Sequence, residues 1–198
     1  MAHDADPEFP REIAPSLPAS LAARPWENRL EIPIPVFADR TLTRGTGYDF
    51  HTVSPRLVRA AAIARRCYLC GEPIGTDEDA WFLGDEQSFI MKYYPETIGH
   101  EDCLLASLTL CPYISTERHK RATERRLGQP QNLKDPNKPD VWVLCASREY
   151  QIAEDGLYPT ERKNPRYFAY RDDRLVEVSL SQANEILETR GYETLPDH

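Results

Sequence analysis

Two short motifs of cysteine and histidine constrain this chain more than any other feature. Cys67 and Cys70 are separated by two residues and followed by Gly71, and His100 and Cys103 have the same spacing farther along. Two thiolates spaced in this way can bind one ion from a tight turn, which a glycine permits. Positions i and i+3 lie on one face of a helical turn, so the second pair can bind the same ion. Three sulfurs and one imidazole form a closed tetrahedral set, and the pattern predicts a zinc site.

The spacing leaves two other interpretations open, namely a chance spacing of buried thiols and a redox motif of the thioredoxin type. A redox motif should open a helix after a strand, whereas here a predicted helix precedes Cys67. Because four protein ligands leave no position for water or substrate, we expect the zinc to be structural. Three thiolates give the complex a net negative charge, for which Arg65 and Arg66 are candidate partners. The alternative is that both arginines are solvated cations at a helix end.

The remaining cysteines are expected outside this site. Cys111 follows Cys103 at about 12 Å along a continuous helix with a rise of 1.5 Å per residue. We therefore predict a small buried residue at a helix end. The alternatives are a reactive thiol or a haem ligand, since Cys-Pro pairs can bind haem iron and Pro112 follows. Cys145 lies in an apolar segment and is expected in the core.

The capping residues predict three helices, over 55–66, 101–111 and 180–190. Ser54 is a good N-cap, with Pro55 at the first helical position. Ser179 and Gln182 form a capping box, and Gly191 can end the last helix.

Alternating and continuous apolar runs predict the strands. We expect a buried strand over 141–144, a hairpin of 167–170 with 175–178, and a second hairpin of 80–83 with 88–91. Residues 30–37 contain two prolines and fit an edge strand or an extended segment. The fold class is thus predicted as α+β, with a central treble-clef-like zinc unit packed on a small, mostly antiparallel sheet with about three helices.

Composition limits the domain organisation and the location. Residues 1–28 are predicted to form a flexible proline-rich arm in which Trp26 is the anchor, and residues 29–198 a single zinc-containing domain. No apolar run approaches the length of a membrane span. We expect no secretory signal, a cytoplasmic location, and five cysteines that are reduced thiols or metal ligands.

Several motifs occur together in this chain: an extended proline-containing segment at 34–37, Cys-x-x-Cys-Gly-x-Pro at 67–73, His-x-x-Cys at 100–103, and Cys-Pro-Tyr at 111–113. A strand, a hairpin and a helix are predicted after them. In these features the chain resembles a group of uncharacterised zinc-binding, treble-clef-like proteins of actinobacteria and their phages. The resemblance covers about residues 30–192, and it implies an arrangement of elements without implying a reaction.

Three hypotheses of function follow. The first is a zinc-binding protein of unknown activity that binds a protein or a small ligand. The second is an enzyme whose active site lies away from a scaffold zinc, and whether the chain is an enzyme stays open. Candidate polar groups for it are His51, Glu101, Asp102 and His119. The zinc deaminase pattern does not fit, because the order of the two motifs is reversed.

The third hypothesis is nucleic-acid recognition through a basic face. Its candidate residues are Arg118, Arg121, Arg125 and Arg126, and the alternative is a solvated helix face. The formal net charge of −8 opposes non-specific binding of nucleic acid. The sequence therefore favours a protein or small-molecule partner over nucleic acid, and no membrane.

We predict that replacing Arg121, Arg125 and Arg126 together by glutamine changes stability little, since exposed charges contribute roughly 0–1 kcal/mol each. The protein should not bind random duplex DNA tightly at about 150 mM salt, because screening of the chain's acidity is incomplete there. Chemical denaturation of the wild type and the triple variant measures stability, and titration of both proteins with labelled duplex DNA at two salt concentrations measures binding. Tight, salt-sensitive binding that the triple variant loses would move nucleic-acid recognition to first place.

Overall fold

A computed structural model of the protein describes residues 11–12, 16–27, 31–38, 54–95, 98–115, 139–171 and 174–197. The strands in these ranges are β1 Arg11–Glu12, β2 Trp26–Glu27, β3 Ile32–Pro33, β4 Ala80–Asp85, β5 Ile98–Gly99, β6 Val141–Ser147, β7 Tyr150–Ile152, β8 Leu157–Pro159, β9 Lys163–Arg171 and β10 Arg174–Val178. The helices are α1 Ala19–Ala22, α2 Pro55–Ile63, α3 Glu86–Ile90, α4 Glu101–Leu110, α5 Pro112–Ser115 and α6 Leu180–Thr189. The fold class is α+β, as predicted.

The main sheet is antiparallel and its strands lie in the order β1-β10-β9-β6-β4-β5. Strand β6 is its centre, because it pairs with β4 on one side and with β9 on the other. All seven residues of β6 are buried, which explains the nearly continuous apolar run that predicted this strand. The predicted hairpin after it is also confirmed as β9 and β10. Strands β2 and β3 form a separate pair, as do β7 and β8.

Each face of the sheet is covered by different elements. On one face Tyr170 donates a hydrogen bond to the carbonyl of Ser115, so α5 lies over that face. On the opposite face Cys145 contacts Tyr94, and the ring of Phe89 packs edge-on against Tyr167. Successive side chains of a strand point to opposite faces, so this double cover buries β6 on both sides, and its residues are apolar up to Ser147.

The three predicted helices begin where the sequence predicts, and each ends one to three residues earlier. Ser179 and Gln182 form the predicted capping box at the start of α6. Helix α2 ends at Ile63 and not at 66, because Arg65 takes a left-handed conformation with φ of 47°. Helix α4 ends at Leu110, before Pro112, as the proline predicts. These three helices match the predicted ones in position.

The predicted hairpin of 80–83 with 88–91 is wrong. Strand β4 continues through Asp85, and the second predicted strand is the short helix α3. Asp85 caps that helix, since its carboxylate accepts hydrogen bonds from the amide of Ser88 at 2.7 Å and from its hydroxyl at 2.6 Å. The apolar run at 88–91 is helical because Phe89 enters the core from one helix face. The main partner of β4 is the distant strand β6.

Part of the predicted arm is packed against the body of the protein. Within residues 16–27, Leu21 is only 3% exposed, whereas Trp26 is 44% exposed. The anchor is therefore Leu21 on α1, and the expectation that Trp26 fills this role is wrong. Strand β2 also pairs with β3, which is the short strand in the predicted extended segment. The division into an arm over 1–28 and a domain over 29–198 stays a prediction.

Gly84 on β4 offers a test of the packing between β4, α3 and the residues after α3. A Cβ at this position would lie 2.6 Å from the Cβ of Ser88 and 2.9 Å from the ring of Tyr94. We predict that Gly84→Ala lowers the free energy of unfolding by about 1–3 kcal/mol, as expected for an overpacked core. Gly75→Ala is the control, because the atoms nearest to its new Cβ belong to the side chains of Asp77 and Glu78, at 3.1 Å. Equal denaturation midpoints for both variants would contradict the prediction.

Candidate metal centre

The four predicted ligands come together at one place in the fold. Ligand atoms of Cys67, Cys70, His100 and Cys103 all lie within 4.8 Å of one another. The three cysteines are buried and the histidine is half-buried. Within the described ranges, no second group of three or more such residues has this geometry. The cluster could therefore hold a metal ion, as the spacing predicts.

The first pair lies on a tight turn that is closed by backbone hydrogen bonds. The amide of Gly71 donates to the carbonyl of Cys67, and the amide of Cys67 donates to the carbonyl of Glu72, both at 2.9 Å. Gly71 has φ of +83°, a conformation that favours glycine. The amide of Glu72 also points to the sulfur of Cys70 at 3.5 Å. This turn presents both sulfurs on one side and gives one of them an amide donor.

Residues 36 and 37 pack over the turn from outside, which sequence reasoning missed. The amide of Val36 donates to the carbonyl of Leu69 at 2.9 Å. Phe37 stacks on Tyr68, whose hydroxyl donates to the carbonyl of Phe37 at 3.0 Å. A Cβ on Gly71 would lie 2.6 Å from Val36. The proline-containing segment thus adds a second reason for glycine at position 71.

The second pair is delivered by strand β5 and the start of α4. The carbonyl of Ile98 accepts a hydrogen bond from the amide of Tyr68 at 2.8 Å, so β5 is tied directly to the first turn. A Cβ on Gly99 would lie 3.3 Å from the sulfur of Cys67. Glycine at position 99 therefore keeps space free beside the sulfurs. This role has no signal in the spacing of the motifs, and only the contact reveals it.

His100 is oriented by a hydrogen bond of one ring nitrogen and turns the other nitrogen to the cluster. Nε2 lies 3.1 Å from the carbonyl oxygen of Pro73, and a carbonyl can only accept, so Nε2 carries the proton and donates it. The other nitrogen, Nδ1, lies 3.5 Å from the sulfur of Cys70 and keeps its lone pair facing the cluster. An outer partner that fixes the tautomer in this way is typical of histidines that bind metals.

The three sulfurs lie so close together that forming more than one thiolate is unfavourable unless a cation compensates the charge. Hydrogen bonds from Cys103 and Cys67 lower the pKa of the Cys70 thiol. The same interactions, with Cys67 and then with Cys70, raise the pKa of the Cys103 thiol, and burial raises it further. Three thiolates at these distances would repel one another. A divalent cation compensates the charge of three, so the donor set fits a thiolate-binding metal ion.

Arg65 and Arg66, the candidate partners for the charge of the site, donate hydrogen bonds to backbone carbonyls around it. The guanidinium of Arg65 donates to the carbonyls of Gly75 and Glu78, at 3.0 and 2.7 Å. It also donates to the carbonyl of Arg148 at 3.1 Å. Arg66 donates to the carbonyl of Gly71 at 2.7 Å. Both arginines thus fix the loops around the cysteine turn through backbone oxygens.

The other cysteines lie outside the cluster, as predicted. Cys111 caps the end of α4 in an extended conformation and is half-buried. Cys145 is buried in β6, where its sulfur lies 3.1 Å from the hydroxyl of Tyr94. Burial raises the pKa of the Cys145 thiol to about 11, so this thiol stays protonated at neutral pH.

The candidate catalytic residues are engaged in other contacts or lie outside the described residues. Glu101 pairs with Arg166 at 3.0 Å, and Asp102 accepts a hydrogen bond from the amide of Cys103 at 2.8 Å. His51 and His119 lie outside the described ranges, as does the predicted basic face of Arg118, Arg121, Arg125 and Arg126. That face stays a prediction.

Comparison with known proteins identifies no relative. No family model matches the sequence, and neither a curated protein nor a solved structure shows significant similarity. Among the described residues, no helix has both the length and the apolar character needed to cross a membrane. The geometry of the metal centre is therefore the main guide to function.

Cys103 in α4 and Cys111 at the end of α4 should differ in their effect on metal content. We predict that Cys103→Ala loses most of the bound metal, because it removes a sulfur from the cluster. Cys111→Ala should keep the metal, since Cys111 lies at the far end of the helix. Elemental analysis of both purified variants measures this difference. Loss of metal from Cys111→Ala, or a haem absorbance that this variant abolishes, would contradict the assignment.

Proposed function

We propose that this is a zinc-binding protein in which Cys67, Cys70, His100 and Cys103 hold one structural zinc ion. One observation carries the proposal, namely the convergence of three sulfurs and one ring nitrogen within 4.8 Å. Three soft thiolates and an imidazole suit zinc better than the oxygen-preferring calcium or magnesium ions. Four protein ligands complete the tetrahedron, which supports a structural role.

The arrangement of elements supports a treble-clef-like zinc unit. The first two ligands lie on a turn that glycine closes, and the last two lie at the start of α4. Strand β5 precedes the second pair and is hydrogen-bonded to the turn. The zinc would join two parts of the chain that are far apart in sequence. Its contribution would be folding free energy, as in other small structural zinc sites.

We also propose that the chain belongs to the group of uncharacterised actinobacterial and phage proteins that it resembles. The support is the shared motifs, together with the β6, β9–β10 and α6 order that follows them. An alignment of that group in which the positions of the four ligands vary independently would contradict this assignment.

We propose further that the protein acts by binding a protein or a small ligand in the cytoplasm. A closed zinc site leaves no coordination position for substrate. The chain has a formal net charge of −8 and is therefore poorly suited to binding polyanions such as nucleic acids. All five cysteines are free, which is the usual state in a reducing compartment.

The test is the metal content of protein purified without chelator. We expect about one zinc per chain, which is the capacity of one tetrahedral site. Cys67→Ser should lose most of it, whereas Cys145→Ser should keep it, because Cys145 is buried away from the cluster and contacts Tyr94. Removal of zinc by a chelator should lower the melting temperature of the wild type. A protein that is fully folded and free of metal would refute the proposal.

A further inference from the structure

Arg166 lies between two carboxylates that belong to different elements of the fold. Its Nε and Nη2 donate to the two oxygens of Glu177 on β10, at 2.7 and 2.8 Å. Its Nη1 donates to the carboxylate of Glu101 at 3.0 Å. All three nitrogens of the guanidinium are therefore engaged, two with the sheet and one with α4.

Glu101 connects this arrangement to the metal centre. It is the first residue of α4, directly after His100 and two residues before Cys103. Arg166 lies on β9, and Glu177 holds its guanidinium with a bidentate pair on the neighbouring strand. Two of the four ligands thus lie in the one turn of helix that Arg166 attaches to the sheet.

The position of Arg166 is fixed from the sheet side as well. Its guanidinium lies 5.5 Å from the centre of the Phe168 ring, and Phe168 is fully buried. Single exposed ion pairs contribute little, but a rigid fork shared by two carboxylates is better ordered than a single pair. The side chains of Arg166 and Glu177 are 31% and 27% exposed, so water screens this pair only in part.

We propose that Arg166 is a positioning residue of the metal centre, and that it acts through Glu101 by holding the first turn of α4 on the sheet. This inference rests on the proposed zinc binding. It makes the metal affinity depend on a residue of β9 that is not a ligand. Metal binding and the packing of α4 on the sheet are then coupled.

The experiment measures the zinc affinity of the folded protein by competition with a chromophoric chelator. We expect Arg166→Gln to weaken zinc binding about tenfold, the lower limit for residues that orient metal ligands. Glu101→Ala should weaken it similarly, and the double variant should lose no more than either single one. Lys163→Gln is the control, because Lys163 lies on the same strand and pairs only with Glu161 among the described ion pairs, at 3.2 Å. Its zinc affinity should equal that of the wild type.

Cobalt(II) provides a readout of ligand geometry in the same variants. Its absorption spectrum should change in Arg166→Gln and Glu101→Ala but not in Lys163→Gln. Unchanged zinc affinity in Arg166→Gln, with only a lower melting temperature, would overturn the proposal and leave Arg166 with a role in the sheet alone. A loss of zinc affinity in Arg166→Gln that Glu101→Ala does not share would also overturn the proposal. If the wild type itself binds no zinc, the proposed function fails too, and that result is distinguishable from the other two.

Discussion

Three buried thiols and one imidazole lie within 4.8 Å of one another, and the surrounding structure depends on their convergence. Without a cation such a group is unfavourable, since each thiolate formed raises the free energy needed to form the next one. The proposed zinc would remove that conflict by supplying positive charge. Because the two pairs come from different parts of the chain, the same charge would join the cysteine turn to helix α4. The site would thus act as a cross-link between local structures.

Several contacts hold the two halves in position independently of any ion. The amide of Tyr68 bonds the carbonyl of Ile98, and the ring of His100 bonds the carbonyl of Pro73. Arg166 attaches the start of α4 to β9 and β10. The ligands are therefore presented by a framework that already favours their arrangement. Such pre-organisation lowers the entropy that binding would otherwise cost, and it links the centre to the main sheet.

Local sequence signals were sufficient to predict the elements that depend on only a few neighbouring residues. The capping box of Ser179 and Gln182 marked the start of α6, and the apolar run after Val141 marked the central strand. The segment at 88–91 shows where local signals fail, since its apolar residues fit either a strand or a helix. The carboxylate of Asp85 and the burial of Phe89 made it a helix, and β6 took the place beside β4. The pairing of two strands as far apart in the chain as β4 and β6 cannot be read from the residues of either strand.

The sequence by itself determined the candidate ligand set, because the spacing of the two motifs restricts which side chains can share one ion. It also determined the α+β class, through periodicity and caps that depend only on neighbouring residues. The tertiary structure alone decided what surrounds the site. Val36 over Gly71, the space that Gly99 leaves beside Cys67, and the contact of Arg166 with Glu101 all join residues distant in the chain. Their positions follow from how the sheet is ordered, and sheet order depends on packing that no short segment encodes.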